Sequence, residues 1–345
     1  MSLHTEILEQ SKTLGQLVQS NRSNAEKIAE TILARDCKYV FLAARGTSDN
    51  AGRYANYLWG AHNRLPMALS TPSLFTFDHQ PPLLNGALVV GVSQSGKSPD
   101  IVSVLAEGKK QGCLTLAVTN APDSPLAATA DLVMDIQAGV EKAVAATKTY
   151  TGELTALAMI SAALSKDESN WQALGNLSHW IEAVLEQDEK IGRMAERFRY
   201  MQQCVVLGRG YNYSTAFEWA LKLKELTYIV ADPYSSADFQ HGPIAMVESG
   251  FPLLSVLPSG MVFDTMLEMI TKLRNSQNAE LVVISDDERA LKLAQSPIQL
   301  PKGIPEWLSP IVSIVAAQLF ACHLTMVKGY NTEAPRTITK VTETH

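Results

Sequence analysis

Paired cysteines, long apolar runs and blocks of one charge are all scarce in this chain, and each shortage closes off a class of protein. The four cysteines, Cys37, Cys113, Cys204 and Cys322, lie far apart with no Cys-x-x-Cys spacing. That excludes a disulfide framework or a zinc knuckle and suits a reducing compartment. The opening residues, MSLHTEILEQ, are too polar for a secretory signal. The longest apolar run, residues 311–321, is shorter than a membrane span and carries Ser313 and Gln318. No Lys/Arg block occurs and the formal net charge is −6, so no nucleic-acid partner is expected. GxGxxG is absent, which removes the dinucleotide fingerprint. The expectation is a cytoplasmic protein with no membrane partner.

What is present is enough for two ordinary domains: 345 residues, of which 46% are hydrophobic and 19% charged. Apolar strands are expected at 38–43, 87–92, 113–119 and 131–136. They alternate with helices at 46–57, 99–111, 124–130 and 143–164, after two N-terminal helices at 4–20 and 24–35. Such alternation implies a parallel sheet covered on both faces. The second half replays the pattern at an offset near 165 residues: 87–96 (ALVVGVSQSG) aligns with 251–260 (FPLLSVLPSG), and the helix from Ala143 with one from Trp307 to Lys328. The fold class expected is α/β, two tandem three-layer α-β-α sandwiches of flavodoxin or Rossmann type. The boundaries read 1–22 for an N-terminal helix, 23–170, 171–328, and 329–345 for a tail.

The densest chemistry lies in residues 208–243. Ser214 to Val230 contain no Gly or Pro and predict a helix, on which Glu218, Lys222 and Glu225 fall at i, i+4 and i+7 on one face. A cation between two carboxylates is a candidate acid/base set. An exposed face laced with ion pairs is the plainer reading of that triplet alone. After a polar loop, expected from Tyr234 to Asp238, His241-Gly242-Pro243 places a histidine in a fixed turn. Two hydroxyl-rich turns, Gly46-Thr47-Ser48 and Ser93-Gln94-Ser95-Gly96-Lys97-Ser98, fall where strands end and helices begin. Open α/β sheets bind ligands at such ends, and free N–H groups with hydroxyls suit a phosphate. Ordinary helix capping explains one such turn, but two after neighbouring strands favour the phosphate.

At these residues the chain resembles the sugar isomerase (SIS) family, and within it the isomerase halves of glutamine:fructose-6-phosphate aminotransferases. The resemblance runs through Gly46-Thr47-Ser48, Ser93-Gln94-Ser95-Gly96, residues 143–149 (AVAATKT), Gly208-Arg209-Gly210, residues 220–225 (ALKLKE), His241-Gly242-Pro243, Pro335-Arg336 and Lys340. Residues 6–10 (EILEQ) are similar to the segment that leads into that half. The resemblance implies that Gly46, Thr47, Ser48, Ser93, Gln94, Ser95 and Ser98 hold a sugar phosphate, with Val144 and Ala146 lining the sugar. It implies Glu225 as proton shuttle between C1 and C2, supported by Glu218 and Lys222. His241 would assist ring opening from the partner subunit of a homodimer, and Lys340 would form a Schiff base with the open-chain ketose. Lys97 and Ala146 depart from the family pattern, which usually has an acid and a serine there.

No metal and no cofactor are implied. The aminotransferases take ammonia from a glutaminase domain that this sequence does not show. The expected activity is therefore deamination of a phosphorylated amino sugar, glucosamine 6-phosphate first. Its rivals are another phosphorylated amino sugar, a deglycase, ammonia-dependent synthesis, a plain sugar-phosphate isomerase, and a sugar-phosphate sensor.

Overall fold

A computed structural model describes residues 2–78 and 80–340 of the chain. These form two compact units: one of residues 12–78, 80–141, 148–176 and 339–340, the other of residues 2–11, 142–147 and 177–338.

The first unit holds strands β1 (Tyr39–Ala43), β2 (Met67–Leu69), β3 (Ala87–Val92), β4 (Leu114–Thr119) and β5 (Leu132–Asp135). All pair in parallel, in the order 2-1-3-4-5. β3 and β4 are buried throughout, as a strand covered on both faces must be. Because side chains alternate along a strand, Ala87, Val89 and Gly91 face one layer and Leu88 and Val90 the other. On the first face Val89 joins Ile101, Val104 and Leu105 of the helix Pro99–Lys110 in one apolar cluster. Gly91 and Gly108 permit this close approach: a Cβ at either would come within 2.7 Å of Leu105 or Val89. The other layer pairs the helices Gly46–Asn63 and Lys148–Ser165, tied where Trp59 Nε1 donates to Leu157 O.

The second unit repeats the plan. Strands β6 (Gln203–Gly208), β7 (Val230–Ser235), β8 (Pro252–Val256), β9 (Glu280–Ser285) and β10 (Ser296–Gln299) run parallel in the order 7-6-8-9-10. The same topology in both halves bears out the internal repeat. Pro233 and Pro297 sit on the two edge strands, where a missing N–H is tolerated. One face packs on the helix Phe263–Gln277, the other on the helices Tyr213–Thr227 and Ser309–Val327, where Trp219 meets Phe320 edge to face.

Several expected boundaries move. The N-terminal break falls at Glu9, between helices Leu3–Leu8 and Gln10–Ala34, and not near residues 21–24. Asn21 and Asn24, which look like breakers, instead donate to the carbonyls of Asp135 and Val133 along β5. The long helix expected from Ala143 begins at Lys148. Tyr234 to Asp238 is not a loop: β7 runs to Ser235, and a short helix, Ser236–Phe239, follows under a Ser235 cap. β2 and the helix Ser73–Thr76 have no counterpart among the elements expected from the sequence. The apolar run at 311–321 belongs to a helical stretch, Glu306–Val327, that is long and apolar enough by length and composition to cross a membrane. Most of that stretch is buried within the protein, as in a core helix.

Candidate active site

The expected site residues divide between the two units. In the first, β1 ends at Arg45 in extended conformation, and Gly46 at φ 53° turns the chain into the helix Gly46–Asn63. This backbone angle favours glycine. Thr47 and Ser48 fall in the first helical turn, and Ser48 Oγ donates to Glu153 Oε1 at 2.8 Å, both side chains buried. Its hydroxyl is thus fixed by a residue with no sequence signal, a buried glutamate in the helix Lys148–Ser165.

The second hydroxyl turn follows β3. Gly96 adopts φ 61°, and a Cβ there would lie 2.0 Å from Ser124 Oγ. Ser93 Oγ accepts from Gly96 N and Ser95 Oγ from Lys97 N, so both hydroxyls brace the turn from within. Ser98 caps the helix Pro99–Lys110 in extended conformation without a side-chain cap bond. The two turns are brought together by Arg45, whose Nε donates to buried Asp100 at 2.7 Å.

Beside them, at the carboxyl ends of β3, β4 and β5, lies an open cleft of about 570 Å³ lined by Gln94, Asn120, Asp135, Gln137 and Glu141. Asn120 accepts from Ala138 N and donates to Gly139 O, pinning the cleft's outer loop. Lys340 also reaches this unit: its Nζ lies 2.5 Å from Glu141 Oε2.

In the second unit, Gly208 and Gly210 open the acid/base helix. A Cβ on Gly208 would strike Asn212 O at 2.1 Å, and Gly210 sits at φ 60°. The triplet on Tyr213–Thr227 is no solvated face. Glu218 and Lys222 are buried, and only Glu225 is partly exposed, at 24%. Lys222 Nζ lies 3.3 Å from Glu218 Oε1 and 2.5 Å from Glu225 Oε2. Burial acts to lower the Lys222 pKa, but the two carboxylates outweigh it and hold the ammonium above the ordinary lysine range.

His241 occupies an exposed turn after Ser236–Phe239, its N–H bonded to Asp238 O, with Gly242 at φ 135°. Val144 and Ala146 are half-buried in a non-helical segment secured at both ends. Buried Glu6 accepts from Lys142 N at 2.5 Å and Ala143 N at 3.2 Å, and Gln318 Nε2 donates to Thr147 O. Glu6 had a signal, the 6–10 match, but no assigned role.

A family model described as the SIS domain matches residues 33–163 and again 199–328. The chain belongs to the SIS domain family. It is 32% identical over 340 residues to the glutamine–fructose-6-phosphate aminotransferase of Pyrococcus horikoshii, a match covering 97% of this chain and 56% of that one. The Thermococcus kodakarensis enzyme of the same name is 33% identical over 344 residues, with the same coverage. The chain thus spans just over half the length of these relatives, and the part matched is their isomerase half. Among solved structures, the C-terminal domain of glucosamine-fructose-6-phosphate aminotransferase from Francisella tularensis superposes with a TM-score of 0.88 at 28% identity, covering 96% of this chain and 98% of that one. Glucosamine-6-phosphate deaminase from Thermotoga maritima shares the fold, with a TM-score of 0.78 at 19% identity over the whole of both chains. The resemblance read from the SIS motifs is therefore borne out, and so are the tandem parallel-sheet domains.

Proposed function

We propose that this chain is a phosphosugar isomerase and deaminase that converts glucosamine 6-phosphate and water to fructose 6-phosphate and ammonia. The observation that carries the reading is the row Glu218–Lys222–Glu225, buried at one end and open at Glu225. A carboxylate held by a buried ammonium, with one edge accessible, is suited to moving a proton between adjacent carbons.

In this reading the hydroxyl turns hold the 6-phosphate. His241, supplied across a homodimer interface, assists ring opening to the C1 aldehyde. Glu225 takes the proton from C2, the C1–C2 double bond forms, and the C1 oxygen is protonated. Return of the proton to C1 leaves a C2 iminium. The Lys340 amine displaces ammonia from it, and water then releases the ketose and regenerates Lys340. Each step uses side chains of this protein as acid, base or nucleophile.

The test is ammonia release from glucosamine 6-phosphate by purified protein, beside Glu225→Gln and Lys340→Ala. Turnover lost in both variants is expected. No ammonia from a folded protein that binds the sugar phosphate overturns deamination. The names of the curated relatives favour the same residues working in the opposite net direction. Fructose 6-phosphate and ammonium salt, assayed together for glucosamine 6-phosphate, test that second reading.

A further inference from the structure

We propose that Glu141 is the positioning residue for Lys340, holding its Nζ at the rim of the cleft before the imine forms and pairing with the iminium afterwards. The inference rests on the reading of Lys340 as the imine-forming lysine.

The Glu141 carboxylate is fully buried and is met by donors from Thr149 and Lys340. Thr149 N donates to Oε1 at 3.1 Å and Thr149 Oγ1 to Oε2 at 2.7 Å. The same Oε2 receives Lys340 Nζ at 2.5 Å. The Thr149 bonds come from the first turn of the helix Lys148–Ser165, where the free N–H groups and the positive dipole end favour a carboxylate. Glu141 is therefore fixed from the helix side and turns one oxygen toward the lysine.

That oxygen faces a side chain that needs anchoring. Lys340 sits 199 residues away in sequence, in a tail segment outside regular secondary structure, and its side chain is 23% exposed. A lysine on such a segment has many rotamers, and an amine must be held close to its carbonyl to react at an enzymic rate. Glu141 lines the cleft that also contains Gln94 of the phosphate turn, so the anchored amine and the phosphate cradle border one cavity.

The charge balance also suits the role. An ammonium and a ketone condense to a protonated imine and water, so the nitrogen carries one positive charge before and after. One N–H remains on the iminium to donate to Glu141. The buried carboxylate therefore has a cation beside it at the start and again in the iminium, avoiding the cost of an unpaired buried charge in both states.

The experiment is reduction with sodium borohydride in the presence of fructose 6-phosphate, with the modified peptide located by mass spectrometry. Wild type is expected to gain the reduced sugar adduct on Lys340. Glu141→Gln is expected to form it about 100-fold more slowly, with unchanged affinity for fructose 6-phosphate. Thr149→Val removes one bond to Glu141 but keeps the carboxylate, and should stay within a few-fold of wild type. Glu141→Asp, which keeps the charge but withdraws it by one methylene, takes the place of the glutamine variant if that does not fold; a roughly tenfold slowing is expected of it. Adduct formation at the wild-type rate in the folded glutamine or aspartate variant overturns the positioning role alone. Wild type that binds the sugar phosphate yet gives no adduct on Lys340 overturns the imine reading, and this inference with it.

Discussion

Lys222 Nζ lies 2.5 Å from Glu225 Oε2, a contact between a side chain only 1% exposed and one that is 24% exposed. The pair runs from the protein interior to a reachable edge, and Glu218 closes its inner end. The inner ion pair holds the outer carboxylate.

Lys222→Met should remove the cation between two carboxylates while roughly keeping the volume. Buried Glu218 then loses its Lys222 partner, and a stability loss of about 3 kcal/mol is expected, read as a lower midpoint in urea. Because the folded pKa of Lys222 is raised, its contribution is fully present below the unfolded lysine value and is lost only as pH rises through the folded one. The deficit should therefore be the same at pH 6 and pH 8. A deficit that differs between those two values would count against the assignment.

Gly96→Ala should damage the second hydroxyl turn. The new methyl group would meet Ser124 Oγ at 2.0 Å, and the backbone sits at φ 61°. A loss of about 2 kcal/mol is expected from strain and overlap together. Stabilisation by sugar phosphates in a thermal-shift assay should weaken as well. Gly60→Ala is the control, since a Cβ there meets nothing within 4 Å.

Glu6→Ala should loosen the segment that carries Val144 and Ala146. Buried Glu6 satisfies two backbone N–H groups, at Lys142 and Ala143. About 2 kcal/mol should be lost, and amide exchange at those two positions should speed up. Exchange left at the wild-type rate would show that Glu6 does not hold them.

Asp188 receives His4 Nε2 at 2.9 Å and His323 Nε2 at 2.7 Å, tying the helices Leu3–Leu8, Asp188–Glu196 and Ser309–Val327. Burial acts to raise the Asp188 pKa, but the bonds from His323 and His4 outweigh it and the net shift is downward. A depressed folded pKa contributes stability above the unfolded value, near 4, and loses it as pH falls through the folded one. Asp188→Asn should therefore be less stable than wild type at pH 6, and the gap should narrow below about pH 4. Thermal melts across that range check it. A constant gap would mean that Asp188 acts through packing.

The repeat, the parallel sheets and the acid/base triplet were legible because each is written in local periodicity. β3, read at 87–92, is Ala87–Val92 in the structure. Glu218, Lys222 and Glu225 share a face because helix spacing requires it. The helix start was misread at Ala143 because Glu6, far away in sequence, holds residues 142 and 143 in another conformation. No window around Ala143 contains that contact.

By itself, then, the sequence determined the two α/β copies, the placing of hydroxyl turns at strand ends, and the carboxylate–lysine–carboxylate row. Tertiary structure alone decided that the row is buried and open only at Glu225, that Ser48 gives its hydroxyl to Glu153, and that Lys340 sits on Glu141. The physical reason is range. Alternation and helical spacing act over a few residues, whereas the Ser48–Glu153 and Lys340–Glu141 contacts close loops of 105 and 199 residues and exist only once the sheets are packed.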